Sequence, residues 1–299
     1  MNKSRSGNSS TAGVLVATGA ISIQFGAAFA THLFRSVGPA GATALRVVFA
    51  ALALLAFNWR KGFRLSKLRA RRNDFLLAPA FGIVLGTMNL TFYESIRRIP
   101  LGVAVTVEFV GPLAVTIFGS RRTSDLIWAF LAGFGVFLLA GGGVFSHIQH
   151  LDIVGVLYAL AAGVCWIGYI LLNSAAGKRF DGTTGLTIAM AAASIFILPF
   201  GLYGAGLHLL RPGLLATGFV VALLSSAIPY SLEMYALKRI TPRAFGILLS
   251  LDPVFAALAG LVILHQRLDA YELTALILVM VANAGSAWFD SRRESVAVV

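Results

Sequence analysis

Long apolar stretches alternate with short polar segments along the whole chain. Four of these stretches contain no Asp, Glu, Lys or Arg, and they cover residues 6–34, 126–151, 153–177 and 182–210. About 20 apolar residues are enough to cross the hydrocarbon core of a bilayer as a helix. The stretches are continuous apolar blocks without the alternation of barrel strands, so the pattern predicts membrane-spanning α-helices.

The positions of the apolar stretches predict an all-α membrane protein with ten transmembrane helices, which we number spans 1 to 10. Helices satisfy their own backbone hydrogen bonds, which lipid cannot do for them. The predicted spans cover residues 12–32, 39–58, 74–96, 101–119, 126–145, 152–173, 184–206, 214–237, 243–264 and 269–289.

Composition excludes the soluble and the disulfide-rich classes of protein. Of the 299 residues, 58% are apolar and 12% are charged, whereas soluble domains carry roughly 25% charged residues. Cys165 is the single cysteine, so neither an intrachain disulfide nor a thiolate metal site is possible. The net charge of +12 is spread between the apolar stretches, so we expect a lipid bilayer and not nucleic acid as the partner.

The distribution of basic residues predicts that both termini are cytoplasmic. With the N-terminus inside, 18 Lys and Arg residues fall in cytoplasmic segments and five fall on the other side, as the positive-inside rule requires. The apolar run after Lys3 and Arg5 could also be read as a signal peptide. We expect a retained span 1, because cleavage would leave nine spans and break the internal repeat described next.

The two halves of the chain match each other at a shift of 141–142 residues. The matched positions include Gly13 with Gly155, Thr43 with Thr184, Arg98 with Arg239, Pro100 with Pro242 and Pro112 with Pro253. Five spans per half is an odd number, so the second repeat is predicted to be inverted in the membrane. The repeats cover residues 12–145 and 152–289. Inverted repeats are typical of secondary transporters, which bind substrate near the bilayer midplane.

Two matched prolines are predicted to lie inside helices. Pro112 and Pro253 fall about a dozen residues into spans 4 and 9, where a proline removes a backbone hydrogen bond and kinks the helix. These kinks either mark the substrate site, because they recur in both halves, or only bend the helices.

Two residues of opposite charge are predicted at the same depth in the membrane. Arg46 and Glu108 each lie about seven residues into a span that starts from the outer side, and so roughly 10 Å below that surface. An ionisable group inside the membrane is energetically costly, so it is expected either to pair with another group or to have a functional role. Either the two form a static pair that fixes helix packing, or Arg46 binds a substrate carboxylate while Glu108 faces an ammonium group or carries a proton.

Other polar residues in the spans are weaker candidates. Gln24 and Asn89 are expected either to bind substrate or to join helices. Asp252 and Glu233 could carry protons, although Asp252 could instead bond the backbone freed by Pro253, and Glu233 could be solvated. Several aromatic residues could line a cavity, and they are Trp166, Tyr169, Tyr93, Tyr230 and Tyr235. Two of them, Tyr93 and Tyr235, could instead anchor the helices in the membrane interface.

No catalytic motif for an enzyme occurs in the chain, and no nucleotide-binding motif occurs either. His147, His150 and Asp152 cluster in one short predicted loop, where solvation is favoured over metal binding. We therefore expect neither an enzyme nor a bound cofactor or metal. An intramembrane lipid-modifying enzyme remains the alternative from another class, and the oligomeric state is open.

The chain resembles the EamA-type carriers of the drug/metabolite transporter superfamily, and most closely the bacterial threonine and homoserine exporters of the inner membrane. The resemblance covers almost everything from span 1 to span 10. The matching segments lie between span 1 and span 8, and they are residues 22–27, 43–46, 100–105, 108–109, 111–115, 165–166, 169–171 and 229–234.

The resemblance implies two five-helix repeats, with spans 1–4 and 6–9 around a central cavity. It also implies export of small amino acids by proton exchange across the inner membrane, although the superfamily includes exporters of aromatic amino acids and other metabolites. Many relatives carry a glutamate after span 9, where this chain has His265, Gln266 and Arg267. This departure shifts the expected proton-coupling role toward Glu108.

Overall fold

The computed structural model describes residues 3–60, 74–119, 127–128, 130–138, 152–177, 179–180, 184–229, 232 and 248–296. These residues are helical or lie in short connections, and no strand occurs among them. The predicted helical fold class is therefore confirmed for the described part of the chain.

The longest helix, α1, covers Lys3–Arg60 and contains the regions of predicted spans 1 and 2. It breaks at Gly38, whose φ of 67° and ψ of 173° are not helical. Glycine tolerates a positive φ because it has no Cβ, and the following Pro39 disfavours a helical residue before it. Residues 33–37, predicted as a loop, are instead helical up to this break. The 58 residues of α1 would extend about 87 Å if straight, nearly three times the hydrocarbon thickness of ~30 Å, so the break separates two arms of membrane-spanning length.

The other described helices lie in the predicted spans, although several begin or end at other residues than predicted. In chain order they are α2 (Asp74–Ile96), α3 (Leu101–Glu108), α4 (Val110–Gly119), α5 (130–138), α6 (Ile153–Gly177), α7 (Thr184–Ala205), α8 (Pro212–Ala222), α9 (Asp252–Leu264) and α10 (Ala270–Val296). A 3₁₀ turn, Gly206–Leu210, follows α7, and a π-helical turn, Leu223–Ala227, follows α8.

The region predicted as span 4 is divided into α3 and α4 at Phe109. Pro112 cannot donate a backbone hydrogen bond, so the carbonyl of Glu108, four residues earlier, has no intrahelical partner there. In the region of span 9, turn residues 250–251 precede α9, and Pro253 lies in its first turn. The sequence predicted Pro253 about a dozen residues inside a helix. The structure places it at the start of a helix instead.

Several of the described helices pack against one another and are long enough to cross a bilayer. α7 packs against both α1 and α2, and α6 packs against α2, α3 and α4. Four of the described helical segments are apolar and long enough to cross a bilayer: Gly13–Arg60, Leu76–Ile96, Ile153–Ala176 and Thr184–Leu210. Large apolar side chains such as Leu76, Phe130 and Ile195 are exposed, as expected for a surface that faces lipid.

An ion pair joins the α2–α3 connection to the start of α6. Arg98 Nη1 lies 3.1 Å from Asp152 Oδ2, while Asp152 Oδ1 accepts the backbone N–H of Val154 at 2.8 Å and so caps α6. The hydrogen bond from the Arg98 guanidinium lowers the pKa of Asp152 below its ordinary value. Asp152 therefore acts in the described structure as a helix cap.

The contact between α2 and α7 depends on Gly82. A Cβ at this position would lie 2.6 Å from the carbonyl oxygen of Ala189 and 2.7 Å from the amide nitrogen of Ala193. Both atoms belong to the backbone of α7, so the helices would have to move apart to accommodate a methyl group.

We expect Gly82→Ala to lower the thermal unfolding temperature of the purified protein, since overpacking typically costs ~1–3 kcal/mol. The matched control is Gly133→Ala in α5, where a Cβ would meet no atom within 4 Å. Alanine favours a helix over glycine, so the control should unfold at the same temperature as the wild type or a higher one. Equal stability of the Gly82→Ala and Gly133→Ala variants would contradict the packing described here.

Candidate functional site

The buried guanidinium of Arg46 lies at the centre of the site. Arg46 is on the second arm of α1, and only 5% of its surface is exposed. Its Nε donates to the hydroxyl of Ser226 at 3.2 Å, and its Nη2 donates to the backbone carbonyl of Ser225 at 3.0 Å. Arg46 thereby connects α1 to the π-helical turn that follows α8.

The π-helical turn exposes the carbonyl of Leu224 to α1. The backbone N–H of Ile228 bonds to the carbonyl of Leu223, five residues earlier, rather than to Leu224. The hydroxyl of Ser22, on the first arm of α1, donates to the Leu224 carbonyl at 2.7 Å. A side chain therefore provides the hydrogen bond that the helix does not.

Pro229 frees the next carbonyl in the same way. A regular helix would pair the carbonyl of Ser225 with the N–H of residue 229, but proline has no N–H. Arg46 supplies the missing donor. The π-helical turn and the proline together thus present two consecutive carbonyls to the two arms of α1.

Tyr93 on α2 also contacts Arg46. Its hydroxyl accepts a hydrogen bond from Arg46 Nη1 at 3.4 Å, and the guanidinium carbon lies 5.5 Å from the centre of its ring. The ring packs against Phe34 with 5.4 Å between centroids, and none of the residue is exposed. The sequence predicted either that Tyr93 lines a cavity or that it anchors in the membrane interface. The prediction of an interfacial anchor is wrong, because the side chain is fully buried within the protein.

Glu108 lies at the junction of α3 and α4, where only 8% of its surface is exposed. α6 passes close to this junction, since a Cβ on Gly163 would lie 2.7 Å from the Glu108 carbonyl oxygen. The next residue, Phe109, packs edge-on against Trp166 of α6 at 4.9 Å between centroids. The junction that contains the buried carboxyl group of Glu108 therefore lies against α6.

Arg46 and Glu108 are within electrostatic range of each other. The hydrogen bonds described for Arg46 go to Ser225, Ser226 and Tyr93. Both arrangements expected from the sequence, a static pair and a shared ligand site, therefore stay predictions.

Gln24 and Asn89 are both buried within the helix bundle. Gln24 is 3% exposed, and its Oε1 has no hydrogen-bond partner among the described residues. Asn89 Nδ2 donates to the carbonyl of Leu85 in its own helix at 2.8 Å. Gln24 thus keeps an acceptor available, whereas Asn89 uses a donor within α2.

One of the remaining candidates is described by the structure, and the others lie outside the described residues. Asp252 is buried in the first turn of α9. Tyr230 and Glu233 lie outside the described residues, as do Tyr235, His147 and His150. In the part of the chain that the structure describes, no three His, Cys, Asp or Glu side chains are grouped to hold a metal ion.

Gln266 lies in the segment 265–267 after span 9, where the resemblance implies a glutamate in many relatives. Its Oε1 accepts the backbone N–H of Leu101 at 3.0 Å, and its own N–H donates to the carbonyl of Gly260 at 3.0 Å. It therefore joins the end of α9 to the start of α3, the helix that ends at Glu108.

Sequence reasoning missed Ser225 and Ser226 as partners of Arg46. Serines in apolar helices usually bond to their own backbone, so these two gave no distinct signal. Their position four and three residues before Pro229 was the usable sign, because it identifies a carbonyl that requires a donor from elsewhere.

Comparisons with known proteins agree with this architecture. A sequence profile of the EamA-like transporter family matches residues 10–141 and 153–287. The threonine/homoserine exporter RhtA of Salmonella typhimurium strain LT2 is 42% identical over 273 residues, which cover 91% of this chain and 90% of the relative. RhtA of Escherichia coli K12 is 41% identical over 282 residues, covering 94% and 92%.

A solved crystal structure has a similar fold. It superposes with a TM-score of 0.61 over 94% of this chain and 98% of the other, at 20% sequence identity. The family profile spans most of both halves of the chain, and the two exporters are similar over nearly their whole length. The chain therefore belongs to the EamA-like transporter family.

Proposed function

We propose that this protein is a secondary active efflux carrier that exports small amino acids of the threonine and homoserine type, by proton exchange and alternating access. The observation that carries the proposal is the buried guanidinium of Arg46 within electrostatic range of the buried carboxyl group of Glu108. A zwitterionic amino acid presents the complementary pair of charges. Relatives that are 41–42% identical are named as threonine/homoserine exporters.

In this proposal the chain crosses the inner membrane ten times, as two inverted repeats at residues 12–145 and 152–289. The helix interruptions at Phe109 and Ser250 lie 141 residues apart, the same spacing as Pro112 and Pro253. This recurrence supports the repeat. Both termini are placed in the cytoplasm on the distribution of basic residues.

Each candidate residue has a proposed role. Arg46 binds the substrate carboxylate, because a guanidinium can form two parallel hydrogen bonds to it. Glu108 exchanges the proton or meets the ammonium group, with Asp252 and Glu233 as the alternative proton carriers. The site is lined by Trp166, Tyr230, Gln24 and Asn89.

The interrupted helices provide the structural basis for alternating access. In secondary transporters, helices broken near the midplane present backbone groups to the substrate while the two halves rock around it. Pro112 and Pro253 place such interruptions beside Glu108 and before α9. The sequence offers no nucleotide-binding motif, which leaves an ion gradient or passive transport, and in this proposal the coupling ion is the proton.

Replacing Arg46 with alanine should reduce threonine counterflow in proteoliposomes by more than about tenfold, because losing a buried charge-assisted contact costs ~2 kcal/mol or more. Arg35→Ala is the matched control, since Arg35 lies on the same helix but is exposed, and it should exchange threonine like the wild type. Arg46→Lys should be intermediate, because lysine keeps the charge without the fork of donors. Wild-type exchange by Arg46→Ala would refute this site.

Replacing Glu108 with glutamine should separate exchange from proton coupling. A glutamine side chain cannot release a proton, so we expect proton-driven net accumulation of threonine to fall to background in Glu108→Gln while threonine–threonine counterflow continues. Glu272→Gln is the control, because this residue caps α10 through a hydrogen bond with Asp269 and glutamine can serve there equally. If Glu108→Gln built the same threonine gradient as the wild type, the proton would have to travel by Asp252 or Glu233.

A further inference from the structure

Two acceptors of the π-helical turn occupy one edge of the Arg46 guanidinium. Nε and Nη2 lie side by side on that edge, and they donate to Ser226 Oγ at 3.2 Å and to the Ser225 carbonyl at 3.0 Å. Two parallel N–H groups on a guanidinium are also what a carboxylate binds in its bidentate mode. The two serine oxygens therefore stand where the two oxygens of a carboxylate would be.

We propose that the Ser225–Ser226 turn is an internal substitute for the substrate carboxylate, and that substrate binding displaces it from Arg46. This inference rests on the proposed function, because it requires an amino acid to bind at Arg46. It adds a specific event to that function, since binding at α1 would release the turn that follows α8.

The exchange is favourable because of the charges involved. The hydrogen bonds from the Arg46 cation to the two neutral serine oxygens are already charge-assisted. A carboxylate accepts the same two hydrogen bonds and adds the Coulomb attraction between two opposite full charges. A substrate carboxylate can therefore compete with the turn for the same donors. Without substrate, the turn keeps the buried guanidinium hydrogen-bonded, which avoids a large desolvation penalty.

Release of the turn has a structural consequence for α8. The carbonyl of Ser225 cannot pair with the backbone of residue 229, because that residue is a proline, so it loses its described donor once Arg46 turns to the substrate. A π-helical turn is a local irregularity of the helix, and the loss of its tie to the second arm of α1 permits it to rearrange, while Ser22 on the first arm still donates to the carbonyl of Leu224. Substrate binding on one arm of α1 would thus be coupled to movement of a helix in the other half of the chain.

A static role for Ser226 makes the opposite prediction for substrate affinity. If Ser226 only orients Arg46, Ser226→Ala should weaken the binding of substrate. If Ser226 competes with the substrate, Ser226→Ala should strengthen binding, because one competing hydrogen bond is gone. The sign of the change in Kd therefore distinguishes the two roles.

The first experiment measures equilibrium binding of labelled L-threonine to purified protein. We expect the Kd of Ser226→Ala to fall by about three- to tenfold, the range that corresponds to one hydrogen bond of about 1 kcal/mol. The control is Thr217→Ala on α8, whose exposed hydroxyl bonds to Gly213 in its own helix, and it should not change the Kd. An unchanged or higher Kd for Ser226→Ala would overturn the inference.

The second experiment measures amide hydrogen exchange in residues 223–228 with and without L-threonine. Displacement predicts that threonine accelerates exchange in the wild type, and that Arg46→Ala exchanges fast without any response to threonine. Protection of these amides by threonine would also overturn the inference.

These experiments distinguish a failure of the proposed function from a failure of this inference. If the wild type neither binds nor exchanges threonine, the proposed function is wrong and the displacement of the turn by an amino acid falls with it. If the wild type transports threonine while Ser226→Ala behaves like Thr217→Ala, the function stands and only the displacement is wrong.

Discussion

A guanidinium buried inside a membrane protein must have its donors satisfied by the protein, because lipid offers no acceptors. Among the described residues, Arg46 donates to the hydroxyls of Tyr93 and Ser226 and to the carbonyl of Ser225. These groups come from α2 and from the turn after α8. The position of one side chain thereby fixes how three helices approach each other.

One of these acceptors, the carbonyl of Ser225, is available because the helix that contains it is irregular. Pro229 and the π-helical turn release two carbonyls that a regular helix would use itself, and Pro112 does the same for Glu108. Backbone of this kind is tolerated at membrane depth only where protein or a hydrated cavity surrounds it. The same irregularities that would destabilise an isolated helix thus provide the polar surface of the site. Close crossings such as Gly163 against the Glu108 carbonyl keep these polar groups away from lipid.

The sequence was sufficient to identify the helical class and the two charged residues of the site. Arg46 and Glu108 stood out because ionisable groups in apolar stretches are expensive and therefore rare. The sequence predicted a loop between spans 1 and 2, whereas the structure is helical up to the break at Gly38. The sequence could not distinguish these arrangements, because a loop and a Gly38–Pro39 hinge have similar composition. The partners of Arg46 could not be derived either, because the π-helical turn depends on packing against α1 and a serine pair has no periodic pattern. Tyr93 illustrates the same limit, as a tyrosine near the end of a span has the same sequence pattern whether it anchors in the interface or packs against a guanidinium.

The central claim is that Arg46 forms a carboxylate site, and competition by an analogue without a carboxylate tests it most directly. L-threoninol keeps the ammonium and hydroxyl groups of L-threonine and replaces the carboxylate with an alcohol. In displacement of labelled L-threonine from the purified wild-type protein, the account predicts competition by unlabelled L-threonine and homoserine, and competition by threoninol that is weaker by about a hundredfold or more. Equal competition by threoninol and threonine would contradict it.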